Sequence, residues 1–583
     1  MTVTSVSPAA TAAEPSFPRR VNGGYALMDA LHRHGVKHIF GYPGGVVLPL
    51  YDRFPSHPEV RHILVRHEQA GGHAADAYAR ATGRLGCALA TSGPGATNLV
   101  TAITNAMMDS VPTLFITGNV GRNLLGKDGF QEADITGITT PIVKHNYLVM
   151  RAQDLAYTFA EAAYIAQTGR PGPVHIDIPK DVFTDEAEFE WPEQISIRGY
   201  VASPRIDPAH IARAAALIDA AERPIIIAGH GVILANASDE LRQFAEKTGT
   251  PVLNTLLGLG SIRGDHALSY GMLGMHGSYE ANHAASTADV IIGIGNRMDD
   301  RALGRFADFN PTASIVHIDI DAAEHGKNIN TVAPILGDAK RALEALIPAV
   351  RQNTHVEWVR WIDDLRSEHA HSMAVPSGPE LSVQYVCDRI SALNSDDVVI
   401  VTGVGQHQMW AAQHMKFTHP HQLITSGGLG TMGFEVPAAM GAQVGRPDAT
   451  VWSICGDGGF QMTMQELATL VDEHLPVKLA IMNNGYLGMV RQWQELFYKD
   501  NYVSVAMSQP DFMKLADAYG ILGIRVTDKD QVEAAIREAN AHPGPVLLDF
   551  QVEAEGNVWP MVPAGASLLE TVEAPRDQQE VAR

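Results

Sequence analysis

The sequence predicts an α/β protein of three successive domains, each a doubly wound parallel sheet with helices on both faces. Two observations predict this class. Short apolar runs rich in Val, Ile and Leu alternate with helical patterns along nearly the whole chain, as is typical of parallel strands joined by crossover helices. The alternation also stops and restarts twice, at segments rich in proline or charge. A length of 583 residues agrees with three or four domains of ordinary size.

The two interruptions set the predicted domain boundaries. The first contains three prolines and little periodicity, and the second joins a charged helix to a segment with Pro and Gly. The predicted segments are a disordered tail over 1–20, a first domain over 21–190, a linker over 191–208, a second domain over 209–350, a linker over 351–382, a third domain over 383–560 and a C-terminal tail over 561–583.

Each domain contains four recognisable β-rich runs. In the first domain they are His38–Phe40, Cys87–Ala90, Thr113–Thr117 and Val174–Ile178, with an Ala-rich helix over Gln69–Thr82. In the second they are Pro224–Gly229, Pro251–Leu253, Val290–Gly295 and Ser314–Ile320. In the third they are Val398–Val401, Val451–Cys455, Val477–Ile481 and Val546–Phe550, with a helix over Met462–Val471.

Composition excludes several classes of function. Lys and Arg number 43 against 65 Asp and Glu, and a net charge of −22 disfavours nucleic acid and anionic membranes as partners. Three scattered cysteines predict no disulfide framework and favour a reducing, cytoplasmic location. No apolar stretch is long enough to span a membrane. The N-terminal tail lacks the apolar core of a secretory signal, although an organelle-targeting remnant is an alternative reading.

The most informative motif is Gly456-Asp457-Gly458, which Asn484 follows 27 residues after Asp457. Both halves follow predicted strands, so their side chains should meet at the carboxyl edge of one sheet, where ligands bind. Mg²⁺ prefers such oxygen ligands: the Asp457 carboxylate, the Asn484 amide oxygen and the backbone carbonyl of Tyr486. The neighbouring glycines let backbone amides approach a diphosphate closely. Taken alone, each half also fits an ordinary tight turn.

This spacing resembles the metal-diphosphate motif of thiamine diphosphate enzymes, and the chain resembles the acetolactate synthase (acetohydroxyacid synthase) catalytic-subunit family from about residue 22 to 565. The segments that carry the resemblance are Gly41–Gly45, His67-Glu68, Tyr78–Gly83, Gly93–Asn98, Phe130–Glu132, Lys144–Asn146, Gly169–Val174, Pro179–Val182, Gly403–Ala412, Gly430–Phe434, the opening motif and Leu487–Val490.

The resemblance implies three cofactors: thiamine diphosphate, Mg²⁺ and FAD. Glu68 would bind the aminopyrimidine ring of thiamine diphosphate, and Met432 would bend that cofactor. The implied thiamine diphosphate contacts are Glu68, Gln406, His407, Gly430, Met432, Asp457, Gly458, Gly459, Asn484, Tyr486, Leu487, Gly488 and Met489, of which Asp457, Asn484 and Tyr486 would hold the metal. The three domains would bind, in order, the pyrimidine ring, FAD and the diphosphate.

The resemblance also implies a reaction. Pyruvate would be decarboxylated and its hydroxyethyl unit transferred to a second pyruvate or to 2-ketobutyrate, the first common step of branched-chain amino-acid biosynthesis. Gly45, Phe130, Gln131 and Lys180 would act at the active centre, and Trp493 with Lys180 would recognise the acceptor. Alternatives within the superfamily are a catabolic acetolactate synthase, a pyruvate oxidase and a 2-ketoacid decarboxylase. A nucleotide-linked dehydrogenase is disfavoured because no Gly-x-Gly-x-x-Gly follows a first strand.

The FAD site implied by the resemblance lies mainly in the second domain. Its expected residues are Arg170, Met275, His276, Gly295, Asn296, Arg297, Met298, Asp299, Asp319 and Asp338. Carboxylates at strand ends suit ribose hydroxyls, and Gly and Arg suit a diphosphate. Met298 stands where the family usually has Phe. The expected assembly is a homodimer or homotetramer with active sites between subunits, and a small regulatory subunit is a further possible partner.

Overall fold

The computed structural model describes residues 19–575. The strands of the first domain are β1 (Arg19–Asn22), β2 (His38–Gly41), β3 (Arg61–Leu64), β4 (Gly86–Ala90), β5 (Thr113–Asn119), β6 (His145–Leu148), β7 (Val174–Pro179) and β8 (Glu186–Phe189). Its helices are α1 (Gly23–His34), α2 (Leu48–Tyr51), α3 (Glu68–Thr82), α4 (Pro94–Thr97), α5 (Val100–Asp109), α6 (Ile135–Thr139), α7 (Leu155–Gln167) and α8 (Lys180–Thr184).

The second domain follows the same plan. Its strands are β9 (Pro224–Ala228), β10 (Val252–Asn254), β11 (Ser269–Met272), β12 (Val290–Ile294), β13 (Ser314–Asp319) and β14 (Ala333–Leu336). Its helices are α9 (Pro208–Ala220), α10 (His230–Leu234), α11 (Ser238–Thr248), α12 (Tyr279–Thr287), α13 (Asp300–Leu303) and α14 (Ala339–Ala349). Helix α15 (Val356–Glu368) leads to the third domain.

The third domain contains the predicted metal motif. Its strands are β15 (Val399–Thr402), β16 (Leu423–Thr425), β17 (Val451–Gly456), β18 (Lys478–Asn483), β19 (Leu522–Val526) and β20 (Val546–Gln551). Its helices are α16 (Val383–Leu393), α17 (Gln406–His414), α18 (Glu435–Gly445), α19 (Asp457–Thr463), α20 (Leu467–Asp472), α21 (Gly488–Tyr498), α22 (Phe512–Tyr519) and α23 (Lys529–Ala541).

The predicted fold class is confirmed, because each domain has one six-stranded sheet with only parallel pairings between its strands. The strand orders are β3-β2-β4-β5-β7-β6, β11-β10-β9-β12-β13-β14 and β16-β15-β17-β18-β20-β19. The short strands β1 and β8 pair antiparallel outside these sheets. None of the helices between residues 19 and 575 is long and apolar enough to cross a membrane.

Two predicted details are wrong. Arg19 and Arg20, placed in the disordered tail, belong to β1, where they pair with Phe189 and Glu188; the rest of that tail lies outside the described residues. The helix predicted over Met462–Val471 is instead two helices, α19 and α20, joined by a 3₁₀ turn. Because α19 begins five residues earlier than predicted, the metal motif itself forms the start of the helix.

The first and third domains share one core. Helices α3 and α18 pack closely because small residues face each other, and a Cβ on Gly441 would overlap the carbonyl oxygen of Ala74. A buried ionic network joins the same domains: Arg80 contacts Asp76 at 2.6 Å and Asp109 at 2.8 Å, while Asp109 accepts the Gly428 N–H at 2.7 Å. The segment that follows β16 is thereby held against the first domain.

Candidate active site

Asp457 is the first residue of α19 and lies directly after β17. Its side chain is 2% exposed, and its two oxygens accept the N–H groups of Gly458 and Gly485, both at 2.8 Å. Burial raises the pKa of Asp457 to about 6, against the lowering effect of these two amides. Each carboxylate oxygen retains lone pairs, so the residue can still coordinate a cation whose charge would keep it ionised.

Asn484 follows β18, the strand beside β17, as the motif predicts. Its side-chain oxygen accepts the Tyr486 N–H at 3.0 Å, which fixes the turn from Asn484 to Leu487. A neighbouring segment runs antiparallel to this turn, where Tyr486 bridges Ala506 and the Leu487 N–H donates to Val505 at 2.8 Å. The candidate metal ligands are thus placed by backbone hydrogen bonds from two neighbouring segments of the chain.

Gln406 and His407 open α17 on the other side of the same cleft. The Gln406 amide donates to Gln492 at 2.9 Å and to the Gly556 carbonyl at 2.8 Å. His407 is 7% exposed, its buried Nε2 has no hydrogen-bond partner among residues 19–575, and burial lowers its pKa to about 4. A neutral imidazole with an unused nitrogen beside the cleft is therefore available to a bound ligand.

The cleft fits a diphosphate because its glycines bring backbone close to the centre. A Cβ on Gly456 would crowd the His407 ring, and a Cβ on Gly488 would overlap the Gln406 amide oxygen. The lining comes entirely from residues 383–490. The predicted contacts among them are Gln406, His407, Met432, Asp457, Gly458, Gly459, Asn484, Tyr486, Leu487, Gly488 and Met489. Gly430 lies instead in a neighbouring cavity.

Glu68 is in the first domain and is not among the residues that line the cleft. It is the first residue of α3, whose N-cap His67 accepts the Gln69 N–H at 3.2 Å. Its carboxylate accepts a hydrogen bond from the Asn98 side chain at 3.0 Å. A Cβ on Gly95 would lie 3.2 Å from Glu68 Oε1, so the Gly93–Asn98 turn holds this carboxyl group in place.

The remaining predicted catalytic residues also belong to the first domain. Gly45 and Lys180 line a pocket of 660 Å³ together with Tyr51 and Arg53. Phe130 is 90% exposed, and Gln131 has a φ of +60°, a conformation that non-glycine residues adopt rarely. Gln131 lies against Gly93, where a Cβ would be 2.9 Å from the Gln131 Cα. None of these four predicted residues is among those that line the diphosphate cleft.

A cavity of 960 Å³ lies between the domains and contains every predicted flavin contact. Those residues are Arg170, Met275, His276, Gly295, Asn296, Arg297, Met298, Asp299, Asp319 and Asp338. The cavity continues to Gly430, Met432, Met489 and Trp493. Because Met432 and Met489 line both this cavity and the diphosphate cleft, the two spaces adjoin, and Trp493 lies on the cavity side of that junction.

The polar groups of this cavity suit a dinucleotide. Arg170 reaches from the first domain to the second, where it contacts Glu324 at 2.6 Å and Asp321 at 3.2 Å. Burial raises the pKa of Asp319, at the end of β13, to about 7. The buried Nδ1 of His276 accepts or donates no hydrogen bond within the described part of the chain, and burial lowers the His276 pKa to about 4. Met298 is buried at a φ of +49°, beside Gly293.

Comparison with known proteins identifies the family. Three family models match in order: the N-terminal TPP binding domain of thiamine pyrophosphate enzymes at residues 21–138, their central domain at 211–346 and their C-terminal TPP binding domain at 403–550. The acetolactate synthase large subunit of Mycobacterium tuberculosis is 46% identical over 94% of this chain and 91% of its own length. The chain belongs to the acetolactate synthase family of thiamine pyrophosphate enzymes.

Other members of the family are similarly close. The acetolactate synthase large subunit of Corynebacterium glutamicum is 47% identical over 94% of this chain and 90% of its own length. A probable acetolactate synthase large subunit of Methanocaldococcus jannaschii is 44% identical over 96% of this chain and 97% of its own length. The similarity thus includes all three domains and both candidate cofactor cavities.

Sequence reasoning missed several residues of this acetolactate synthase site. Val404 lines both the cleft and the cavity, and it could have been inferred from its position between Gly403 and Gly405. Met507 Sδ would lie 3.3 Å from a Cβ on Gly458, and His230 lines the 960 Å³ cavity. Nothing in the local pattern around Met507 or His230 indicates these positions, because both are brought to the site by long-range packing.

Proposed function

We propose that this chain is the catalytic subunit of an acetolactate synthase, which joins pyruvate to a second 2-ketoacid with loss of CO₂. The observation that carries the proposal is the junction at Met432 and Met489, where a diphosphate cleft with Asp457 and Asn484 adjoins a cavity that contains Trp493. A cleft that can hold a metal ion and a diphosphate, next to a space that contains Trp493, would suit thiamine diphosphate with a small ketoacid beside it. The relatives named as acetolactate synthases support the same reaction.

Thiamine diphosphate, when bound, supplies the carbanion and electron-sink chemistry. In the proposed site Asp457, the Asn484 amide oxygen and the Tyr486 carbonyl hold Mg²⁺, which suits its preference for oxygen ligands. Among residues 19–575 no group of three or more His, Cys, Asp or Glu side chains is arranged to hold a metal ion. Mg²⁺, which is usually held by one or two carboxylates with phosphate oxygens, fits a site with a single carboxylate.

Glu68 holds and releases a proton at the aminopyrimidine ring in this proposal. A carboxyl group in that role needs an orienting partner, and the Asn98 amide at 3.0 Å provides one. His407 is neutral and can donate a hydrogen bond to the diphosphate without adding charge. The acceptor ketoacid would be bound by Lys180, Phe130, Gln131 and Gly45. The positive charge of Lys180 would pair with the carboxylate of the acceptor.

We further propose that FAD occupies the 960 Å³ cavity and serves a structural role. The unpartnered His276 nitrogen and the Asp319 carboxyl at the end of β13 support a polar, dinucleotide-like ligand. Purified protein should be yellow, with the absorbance of oxidised flavin. An Arg170→Leu variant should lose flavin on dialysis, whereas Arg151→Leu, a change at an exposed arginine of the same domain, should retain it. Colourless and fully active protein would exclude the flavin assignment.

The proposed assembly is a homodimer or homotetramer. A small regulatory subunit is proposed as a further partner, and the proposed location is the cytoplasm. The cleft is lined only by third-domain residues while Glu68, Lys180 and Phe130 lie on the first domain, so a second copy of the chain would complete each site. The cytoplasmic proposal is supported by Cys87, Cys387 and Cys455, which are all buried and unpaired.

A product assay tests the reaction directly. Purified protein receives thiamine diphosphate, Mg²⁺ and pyruvate, with and without competing 2-ketobutyrate, and the products are identified. Acetolactate and acetohydroxybutyrate support the proposal, whereas acetaldehyde or acetyl phosphate would assign a different thiamine diphosphate enzyme. Glu68→Gln should lower the rate by about 10² to 10⁴ because proton transfer is lost. Glu186→Gln, at an exposed carboxylate of the same domain, is the matched control.

A further inference from the structure

Glu435, the first residue of α18, carries a buried carboxyl group that the proposed reaction does not use. The residue is 0% exposed, and no side chain among residues 19–575 donates a hydrogen bond to either of its carboxyl oxygens. A buried carboxyl group is nearly always paired or hydrogen-bonded, because leaving it unpartnered costs free energy. An exception that lies within the cofactor domain therefore calls for an explanation.

The carboxyl group of Glu435 lies behind the two turns that form the diphosphate cleft. A Cβ on Gly403 would overlap Glu435 Oε2, and a Cβ on Gly459 would overlap Oε1. Gly403 begins the turn that leads to Gln406, and Gly459 lies in the first turn of α19 after Asp457. Both glycines are needed because the carboxyl group occupies the space that a side chain would fill. Glu435 thus contacts both walls of the cleft at once.

Few ionisable groups face Glu435. The thiol of Cys455, on β17, is close enough to Glu435 that the charge of Glu435 raises the pKa of Cys455. On α3, His73 and Arg80 pack against the neighbouring Phe434 ring, at 5.3 Å and 5.8 Å from its centre. The 3₁₀ turn after α19 carries Glu466, which accepts the Arg66 N–H at 2.9 Å, and α19 itself begins with Asp457. None of these groups donates a hydrogen bond to the carboxyl group of Glu435.

The protonation state of Glu435 consequently depends on its burial. Burial raises the pKa of Glu435 to about 7, although the N–H groups of Glu435 and Gly433 oppose the shift. The carboxyl group is therefore neutral in mildly acidic solution and becomes charged just above neutrality. A negative charge at this position would repel a diphosphate in the cleft and draw the backbone amides of both turns away from it.

We propose that Glu435 is a positioning residue for the cofactor: its bound proton keeps both glycine turns in the geometry that holds the diphosphate, and loss of that proton weakens cofactor retention. The inference rests on the proposed cofactor site. It makes retention of thiamine diphosphate pH-dependent through a residue that does not contact the cofactor. Glu435→Gln has the same shape and is permanently neutral, so it isolates the effect of charge.

The test measures the dissociation constant of thiamine diphosphate at saturating Mg²⁺ between pH 6 and 8.5, by tryptophan fluorescence and by calorimetry, on the full-length protein. Between pH 6 and 8.5 the dissociation constant of the wild-type protein should rise about tenfold more than the dissociation constant of Glu435→Gln. A difference of this size is expected for one charge near a dianionic group. Titration of the cofactor phosphate affects both proteins equally, so their difference reports Glu435. Glu553→Gln is the control, because burial also raises the pKa of that carboxyl group in the same domain.

The outcomes separate this inference from the proposed function. If the dissociation constant depends on pH equally in wild type and Glu435→Gln, or does not change with pH in wild type, Glu435 does not have the proposed role. Acetolactate formation by the protein is not affected by that outcome. Absence of thiamine diphosphate binding at every pH in both proteins overturns the cofactor site and the inference together. If the variant does not fold, infrared spectroscopy of the wild-type protein tests the same inference. The carbonyl band of a protonated, buried carboxylic acid must disappear over the pH range in which the affinity for thiamine diphosphate falls, and a band that persists overturns the inference.

Discussion

Burial determines the charge of several residues in and around the candidate site. Asp457, Asp319 and Glu435 are all buried at or near strand and helix ends, and burial raises the pKa of each, to about 6, 7 and 7 respectively. The first two face cavities in which a bound ligand can stabilise the ionised form. No cationic side chain among residues 19–575 bonds to Glu435, and the N–H groups of Glu435 and Gly433 oppose the effect of burial only in part, so its ionisation should appear as a loss of stability.

Glu435→Gln should therefore change how stability depends on pH. The folded-state pKa of about 7 lies above the ordinary value of 4.5, so the stability associated with this group is complete below pH 4.5 and is lost as pH rises to 7. Between pH 5 and 8 wild-type protein should lose roughly 2 to 3 kcal/mol more than the variant. Urea unfolding of the cofactor-free proteins at both pH values measures this difference in the free energy of unfolding. An equal loss of stability in wild type and Glu435→Gln would contradict a raised pKa for Glu435.

Trp493→Leu should weaken selection of the larger acceptor. Trp493 lines the cavity beside the diphosphate cleft and stacks edge-to-face with Phe497, their ring centres 5.4 Å apart. The smaller side chain removes contact with the acceptor, so the preference for 2-ketobutyrate over pyruvate should fall about tenfold in a competition assay. Tyr498→Leu changes an exposed residue of the same helix that does not line the cavity, so it should leave the ratio of products unchanged. A constant ratio for Trp493→Leu would remove this residue from acceptor recognition.

The sequence predicts the place of a residue in the sheet well where a motif fixes its backbone. Asp457 and Asn484 lie at the ends of adjacent strands because both halves of the motif follow apolar runs that pair in the sheet. Glu435 could not be predicted as a buried acid, because a glutamate that opens a helix is normally solvated and favours the helix dipole. Its burial results from the packing of α18 against α3, which no local pattern records.

At the scale of elements, the strands that were predicted are the four central strands of each sheet. The two edge strands of every sheet were missed: β3, β6, β11, β14, β16 and β19. Central strands such as β4 and β5 are buried along their whole length, so they appear as continuous apolar runs. Edge strands such as β3 and β6 are largely exposed and mix polar with apolar residues, a pattern shared with loops.

The contact between α3 and α18 gives a prediction at this scale. A Cβ on Gly441 would overlap the carbonyl oxygen of Ala74, so Gly441→Ala forces the two helices apart. The change should cost about 1 to 3 kcal/mol of stability even though alanine favours helix formation by up to about 1 kcal/mol. Thermal unfolding measures the loss. Gly378→Ala, where a Cβ meets nothing within 4 Å, is the control, and equal stability of the two variants would refute close helix packing.

At the scale of the whole molecule, the residues proposed for one reaction lie on two separate surfaces. The cleft with Asp457 is lined by residues 383–490, whereas Glu68 is held by Asn98 in the first domain. Phe130, also in the first domain, is 90% exposed, so no residue between 19 and 575 covers its side chain. Two copies related by a twofold axis would bring each first-domain surface to a third-domain cleft and create two equivalent sites.

Mixed dimers test this arrangement. Glu68→Gln and Asp457→Ala should each inactivate the homodimer, since every site would then contain one defect. In a dimer with one chain of each kind, one site combines both defects and the other has both native residues. Random co-expression gives about half mixed dimers, so acetolactate formation should recover to about a quarter of the wild-type rate. If Glu68 and Asp457 of the same chain completed one site, every site in the mixture would still carry a defect, and no activity would return.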